Sequence, residues 1–219
     1  MNPINQEYLN SFARRVGKTL SKTHQSLLEE KLADYTISNH QFNLQNRYIL
    51  EIGSGHGDFI VSQAKKNPDI TYVACEPYIN GVAKLLEKVE LEKLTNILIW
   101  TDDVRLLLAD LPDDLFEAVF ILFPDPWPKK KHKKRRIINN YLLDKLQNKI
   151  RKNGKICTAT DDQDYAESIL SVFAGDQSYR KNKERDNSKS FDEDVITHYQ
   201  SKAQHEKRNC FFFEFISCD

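Results

Sequence analysis

The sequence predicts an α/β protein: a doubly wound, mostly parallel sheet with helices on both faces, preceded by an N-terminal extension. Three observations carry this expectation. From Arg47 onward, short apolar runs alternate with segments of helical spacing, an order that demands parallel strands joined by right-handed crossovers. The runs are continuously apolar, as strands covered on both faces require. The first of them runs directly into a glycine-rich turn.

Taken in order, residues 1–45 form the extension. Arg14, Arg15, Lys18 and Lys22 make a loose basic stretch around Gly17, and Gln25–Tyr35 places Leu27, Leu28, Lys31, Leu32 and Tyr35 at helical spacing. Residues 46–219 form the second unit. Tyr48–Ile52 is its first strand, and Asp58–Lys66 a helix closed by Asn67-Pro68. Ile70–Cys75 is the second strand, Ile79–Leu94 the second helix and Asn96–Trp100 the third strand. Val104–Leu111 reads as a helix ended by Pro112, Ala118–Phe123 as the fourth strand, and Ile137–Ile150 as a helix stopped near Asn153-Gly154. Lys155–Ala159 and Asp164–Ala174 are the fifth strand and its helix. Tyr179–Arg185 and Asn209–Ser217 look strand-like, with no helix of comparable quality between them.

Composition narrows the classes. The longest apolar run, Ala118 to Phe123, is far too short to span a bilayer, and the N-terminus lacks the basic-then-apolar pattern of a signal peptide. Cys75, Cys157, Cys210 and Cys218 form no CxxC pair and read as small hydrophobes of a reducing cytoplasm rather than a disulfide framework or zinc site. The expectation is a cytoplasmic chain, with no metal and no membrane as partner. The 32 basic and 32 acidic residues cancel, but they are segregated: Lys129 to Arg136 reads KKKHKKRR, while acids collect at Asp161, Asp162 and Asp164 and again at Asp192, Glu193 and Asp194. Such segregation can build a local binding field that the zero total conceals.

In sheets of this kind ligands bind beyond the carboxyl ends of the strands. After the first strand comes Glu51-Ile52-Gly53-Ser54-Gly55-His56-Gly57-Asp58. The glycines allow a sharp turn and close approach of a ligand. A dinucleotide fingerprint would place its third glycine at position 58, where this chain has Asp58. An acid at the helix start disfavours a pyrophosphate, so the loop suits a nucleoside without phosphates, and Glu51 suits a cationic group. A plain strand-to-helix turn is an equal alternative for the glycines alone. Glu76 ends the second strand, 23 residues after Gly53, where a carboxylate can accept from both ribose hydroxyls. Asp102 and Asp103 end the third: one is expected to cap the next helix, and Asp102, nearer the strand, to meet an adenine amino group.

The fourth strand ends in Phe123-Pro124-Asp125-Pro126-Trp127-Pro128. Three prolines make the segment stiff, and in extended chain Phe123, Asp125 and Trp127 share a side. An acid held between two aromatics can grip a planar heterocycle. The basic run that follows, otherwise an ordinary solvated face, then lies where it can hold the phosphates of a polynucleotide whose base enters the pocket. Asp161, after the fifth strand, either faces the same pocket or caps a helix.

Together, Glu51-Ile-Gly-x-Gly-x-Gly, Glu76, the Phe123-Pro-Asp-Pro-Trp-Pro-Lys-Lys-Lys-His-x-Lys-Arg-Arg run and Thr160-Asp161 resemble the bacterial tRNA (guanine-N7)-methyltransferase family. The likeness extends to Arg14-Arg15-x-Gly17 and to Thr197-His-Tyr-Gln200. It implies a Rossmann-like class I methyltransferase fold and an enzyme that moves the methyl group of S-adenosylmethionine to N7 of a variable-loop guanine in tRNA, acting as a monomer or homodimer. By matching positions, Glu51, Gly53, Gly55, Gly57, Glu76, Asp102 and Asp125 would bind the cofactor, with Asp125 also catalytic. Lys129, Asp161 and the segment Thr197, His198, Tyr199 and Gln200 would meet substrate. Lys131, His132, Lys133, Lys134, Arg135 and Arg136 would touch RNA. The family pattern usually has glutamate where this chain has Gln200.

Other readings differ in what they leave unexplained. Methylation of an exocyclic amine draws on the similarity of Asp125-Pro126-Trp127 to an Asp-Pro-Pro-aromatic motif, but it lacks the second proline and ignores the basic run. A non-catalytic RNA-binding module is opposed by the intact Glu51, Glu76 and glycines, and a nicotinamide oxidoreductase by the glycine spacing.

Overall fold

The computed structural model describes residue 15, residues 17–37 and residues 41–218; Arg14 of the basic stretch lies outside the described residues. The elements run α1 (Lys22–Tyr35), β1 (Arg47–Ile52), α2 (Asp58–Lys66), β2 (Ile70–Cys75), α3 (Ile79–Glu92), β3 (Ile97–Trp100), α4 (Val104–Asp110), β4 (Phe116–Leu122), α5 (Asn140–Gln147), β5 (Ile150–Thr160), α6 (Gln163–Ala174), β6 (Tyr179–Lys181), α7 (His198–His205) and β7 (Phe211–Ser217). One seven-stranded sheet has the order β3-β2-β1-β4-β5-β7-β6. Its first five strands are parallel; β7 runs antiparallel to both β5 and β6. The expected doubly wound α/β sheet is the observed one.

Both faces are covered. On one side α2 and α3 bury Ile60, Val61, Val82, Leu85 and Leu86 against Tyr72, Ile97 and Ile99, and Leu27, Leu28 and Leu32 of α1 pack on that layer. The Tyr35 hydroxyl donates to Glu90 of α3 at 2.5 Å, fixing α1 to the same face. On the other side Val104, Leu107, Leu142, Leu143, Tyr165 and Ile169 from α4, α5 and α6 close over Leu50, Val73, Val119 and Ile156. Burying a large aliphatic or aromatic side chain contributes about 1.5–3 kcal/mol, so these two layers supply the main drive for folding. Strand order reverses between β1 and β4, the position at which such sheets open a crevice.

Four local expectations are corrected. The helix expected over 137–150 is confined to Asn140–Gln147, because the Asn139 side chain accepts from Leu142 N at 3.0 Å and starts it there. Asn153-Gly154 does not end an element. Asn153 has φ 60° and sits inside β5, where the register against β4 shifts, so β5 begins at Ile150 rather than Lys155. β4 spans Phe116–Leu122, and Phe123 leaves it with φ 52°. Finally, a helix does lie between the last two strands: α7, capped by Thr197, whose hydroxyl accepts from Gln200 N.

Candidate active site

Four strand ends and the start of α7 enclose a cavity of about 480 Å³ over the β1–β4 crevice. Glu51 and the glycine loop form one wall, Glu76 to Tyr78 and Asp102 to Arg105 the next, and Phe123 to Asp125 with Trp127 the third. Thr197, His198 and Tyr199 reach in from the C-terminal side.

The glycine loop is fixed by β2. Gly53 N and Ser54 N both donate to Cys75 O, at 2.7 and 3.2 Å. Gly53 and Gly55 have φ of 77° and 53°, and a Cβ on either would meet nothing within 4 Å. Their backbone therefore borders open space that a ligand can occupy. Gly57 differs: its φ is 75°, and a Cβ there would collide with Leu85 Cδ1, so this glycine serves the packing of α2 on α3.

Glu76 is buried and held at both ends, one oxygen accepting from Gly55 N at 2.7 Å and the other from Tyr78 N at 2.8 Å. Burial raises its pKa; the two backbone bonds oppose this, and the charge of Asp125 adds to it. Glu51 is deeper. Burial, then the negative charges of Glu76 and Asp58, push its carboxyl well above the ordinary range, and its Oε2 has no hydrogen-bond partner. Asp103 takes the helix cap, accepting from Arg105 N at 3.0 Å. Asp102 is left at the cavity, where Arg15 of the N-terminal segment donates to it at 2.5 Å.

The proline segment is not the extended strip expected. Phe123 and Trp127 have φ of 52° and 46°, left-handed values that cost of order 1–3 kcal/mol each in a non-glycine residue. Regular alternation is lost, yet Phe123, Asp125 and Trp127 all border the cavity. Phe123 packs edge-on against Phe212, with centroids 6.0 Å apart, while Trp127 lies 4.9 Å from the Arg135 guanidinium. Asp125 stays exposed at the cavity wall.

The basic run divides. Lys130–Arg135 winds as a 3-10 helix; Lys129, Lys130, Lys131 and Lys134 are exposed, and Lys134 lines the cavity. His132 is half-buried, edge-on to Trp127. Lys133 is tied to Asp164. Arg136, expected to touch RNA, borders the cavity but is only 4% exposed, and its guanidinium is turned to Pro126 O and Asp164.

Two further expectations need relocating. Asp161 pairs with Arg208 and does not line the cavity, while its neighbour Asp162 caps α6, accepting from Tyr165 N at 2.7 Å. Gln200 is buried within α7, leaving Thr197, His198 and Tyr199 at the cavity. One arrangement was not anticipated. The His56 and His198 rings lie 5.6 Å apart, and His198 N donates to Asp58 Oδ2 at 3.1 Å, so the start of α7 is clipped to the glycine loop. Asp192 strengthens the clip by accepting from Gln63 at 2.5 Å and Lys66 at 2.7 Å. The signal was present as Thr197-x-x-Gln200, the spacing of a helix N-terminal capping box.

Among the described residues, no helix is long and apolar enough to cross a membrane. A family model described as "putative methyltransferase" matches residues 45–213. A tRNA (guanine-N(7)-)-methyltransferase of Wolbachia pipientis is 39% identical over 218 residues, covering 96% of this chain and 93% of that protein. A bifunctional methyltransferase of Rickettsia typhi is 38% identical over 213 residues, and this chain spans only 41% of its length. Among solved structures, an rRNA methylase of Streptococcus thermophilus superposes with a TM-score of 0.54 at 10% identity, covering 90% of this chain and 95% of that one; that likeness concerns the fold alone. The fold, the family match and the relative aligned along nearly its whole length agree, and the chain belongs to the tRNA (guanine-N7)-methyltransferase family.

Proposed function

We propose that this chain transfers the methyl group of S-adenosylmethionine to N7 of a variable-loop guanine in tRNA. The observation that carries the reading is one cavity in which Glu51, Glu76, Asp102 and Asp125 converge and which Lys134, from a run with exposed Lys129, Lys130 and Lys131, also lines.

The residues present fit the cofactor. The unpartnered Glu51 oxygen suits a cationic group, the open side of Gly53 and Gly55 suits a close-lying ligand, and Glu76 retains lone pairs for ribose hydroxyls. Asp102, at the cavity wall, suits an adenine amino group. S-adenosylmethionine, when bound, supplies a methyl carbon on a sulfonium, which the N7 lone pair takes without prior loss of a proton. The protein therefore needs no general base to start the reaction, and its work is alignment and electrostatics. The guanine becomes cationic as the methyl arrives, and Asp125 is the exposed carboxylate on the wall nearest the lysines. Trp127 offers a ring face at the same wall, and the lysines supply phosphate contacts that position the RNA without reading its sequence.

The deciding experiment is incubation with methyl-labelled S-adenosylmethionine and unmodified tRNA, followed by digestion to nucleosides. Label is expected in 7-methylguanosine. Label on an exocyclic amine, or none transferred to tRNA, would overturn the reading.

A further inference from the structure

The prolines of the Phe123–Pro128 segment remove three backbone donors, and the left-handed backbone at Phe123 and Trp127 has to be held by its surroundings. On the β4 side, Phe123 N donates to Ala159 O at 2.8 Å. Beyond Asp125 the hold comes from elsewhere. Arg136 Nε donates to the Pro126 carbonyl at 2.8 Å, and its terminal nitrogen donates to Asp164 Oδ2 at 2.5 Å. The guanidinium lies 4.5 Å over the Tyr165 ring. Tyr165 is itself fully buried, and its hydroxyl accepts from Ile138 N at 3.2 Å. The Arg136 backbone is fixed as well, its carbonyl accepting from the Asn139 side chain at 2.8 Å.

We propose that Arg136 is a positioning residue for methyl transfer, fixing Asp125 at the cavity through the Pro126 carbonyl while Asp164 and Tyr165 fix the guanidinium. The proposal rests on the functional reading above. Only arginine fits this place: its planar fork donates in two directions and stacks on a ring, and it stays charged when buried. Asp164 also holds Lys133, so the same brace joins the basic run to the segment that carries Asp125. The sequence motif places Arg136 among the RNA-contacting cations; the structure turns it into the support for the acid.

Arg136→Lys tests this. Lysine keeps the charge but cannot hold Pro126 and Asp164 together while stacking on Tyr165. The single-turnover rate at saturating cofactor and tRNA is expected to fall about 10–10²-fold, the scale of a small misplacement in an active site. The affinity for tRNA and its salt dependence should hold. In contrast, Lys131→Ala/Lys134→Ala should flatten the slope of log affinity against log salt by about 0.7–0.9 for each phosphate no longer neutralised. In an Asp125→Asn background Arg136→Lys should cost little more, because the two act as a unit. A direct readout of the loop uses Trp100→Phe, which leaves Trp127 as the sole tryptophan; acrylamide quenching of Trp127 should rise on adding Arg136→Lys. If Arg136→Lys folds poorly, Asp164→Asn loosens the same guanidinium from an exposed position and should shift rate and quenching in the same direction. A wild-type rate with weakened affinity for tRNA would make Arg136 an RNA contact and overturn the proposal, as would unchanged rate and quenching together. A wild-type protein that forms no 7-methylguanosine refutes the functional reading instead, and the quenching comparison still decides whether Arg136 holds the loop.

Discussion

Replacing Asp125 with asparagine is expected to lower the single-turnover rate of methyl transfer by about 10²-fold or more, the scale seen when one preorganised electrostatic partner is removed. The substitution keeps shape and part of the hydrogen bonding but removes the charge. Asp125 stands between Pro124 and Pro126, with its neighbour's carbonyl held by Arg136, so its place is set before substrate arrives. A charge fixed in advance acts most strongly on charge that develops during the reaction, here the positive charge on the purine. Affinity for tRNA should change far less, since phosphate contacts from the exposed lysines are expected to dominate it. Single-turnover kinetics at saturating cofactor and tRNA, with affinity measured separately, decide. A near-wild-type rate would make Asp125 structural. Asp161 would then have to serve, and it would first have to leave Arg208.

The second large effect is expected at Glu76. Glu76→Ala should weaken cofactor binding tenfold or more, since charge-assisted bonds to hydroxyls contribute about 1.5–3 kcal/mol each. The structure adds a second consequence. The carboxylate also receives Gly55 N and Tyr78 N, and removing it strands two part-buried donors, each at a cost of up to about 1 kcal/mol where water can reach them. Cofactor affinity and resistance to denaturant should therefore fall together. Calorimetric titration and urea unfolding of the same variant provide the check. Unchanged affinity in a folded Glu76→Ala protein would remove Glu76 from the cofactor site.

The sheet was legible because its strands are solidly apolar. The first three begin within one residue of their expected positions and end where expected, because each apolar run is flanked by polar residues or glycine: Arg47 and Gly53, Asp69 and Glu76, Asn96 and Thr101. The acids at the strand ends were legible for the same reason: once the strands are placed, topology gathers Glu51, Glu76, Asp102 and Asp125 at one crevice. Conformations set by tertiary contacts were not. Asn153-Gly154 has the composition of a stop yet forms an irregularity within β5, where pairing with β4 overrides local preference. α7 has almost no apolar face, burying Gln200 and Ala203, so helical periodicity could not reveal it. Residues before proline favour extended backbone, and that rule misplaced Phe123 and Trp127. Nor does a run of eight basic positions disclose which member turns inward; only the neighbouring Asp164, Tyr165 and Pro126 carbonyl separate Arg136 from the rest.

With a cationic ligand bound at the unpartnered oxygen of Glu51, capture is expected to be an exchange reaction. Before binding, burial and the nearby negative charges of Glu76 and Asp58 keep a proton on this carboxyl to higher pH than usual. A cationic ligand at the same oxygen reverses the balance and lowers the pKa, so the proton departs as the cation arrives. Below the raised pKa of the free protein, affinity should increase with pH by up to about one logarithmic unit per pH unit, and it should level off above it. Calorimetry in buffers of different ionisation enthalpy should register the released proton. Glu51→Gln, which cannot ionise, should abolish both the release and the slope, whereas a slope that survives the substitution would place the titrating group elsewhere. With such an exchange, occupancy of the cavity would follow the acidity of its surroundings as well as the supply of ligand.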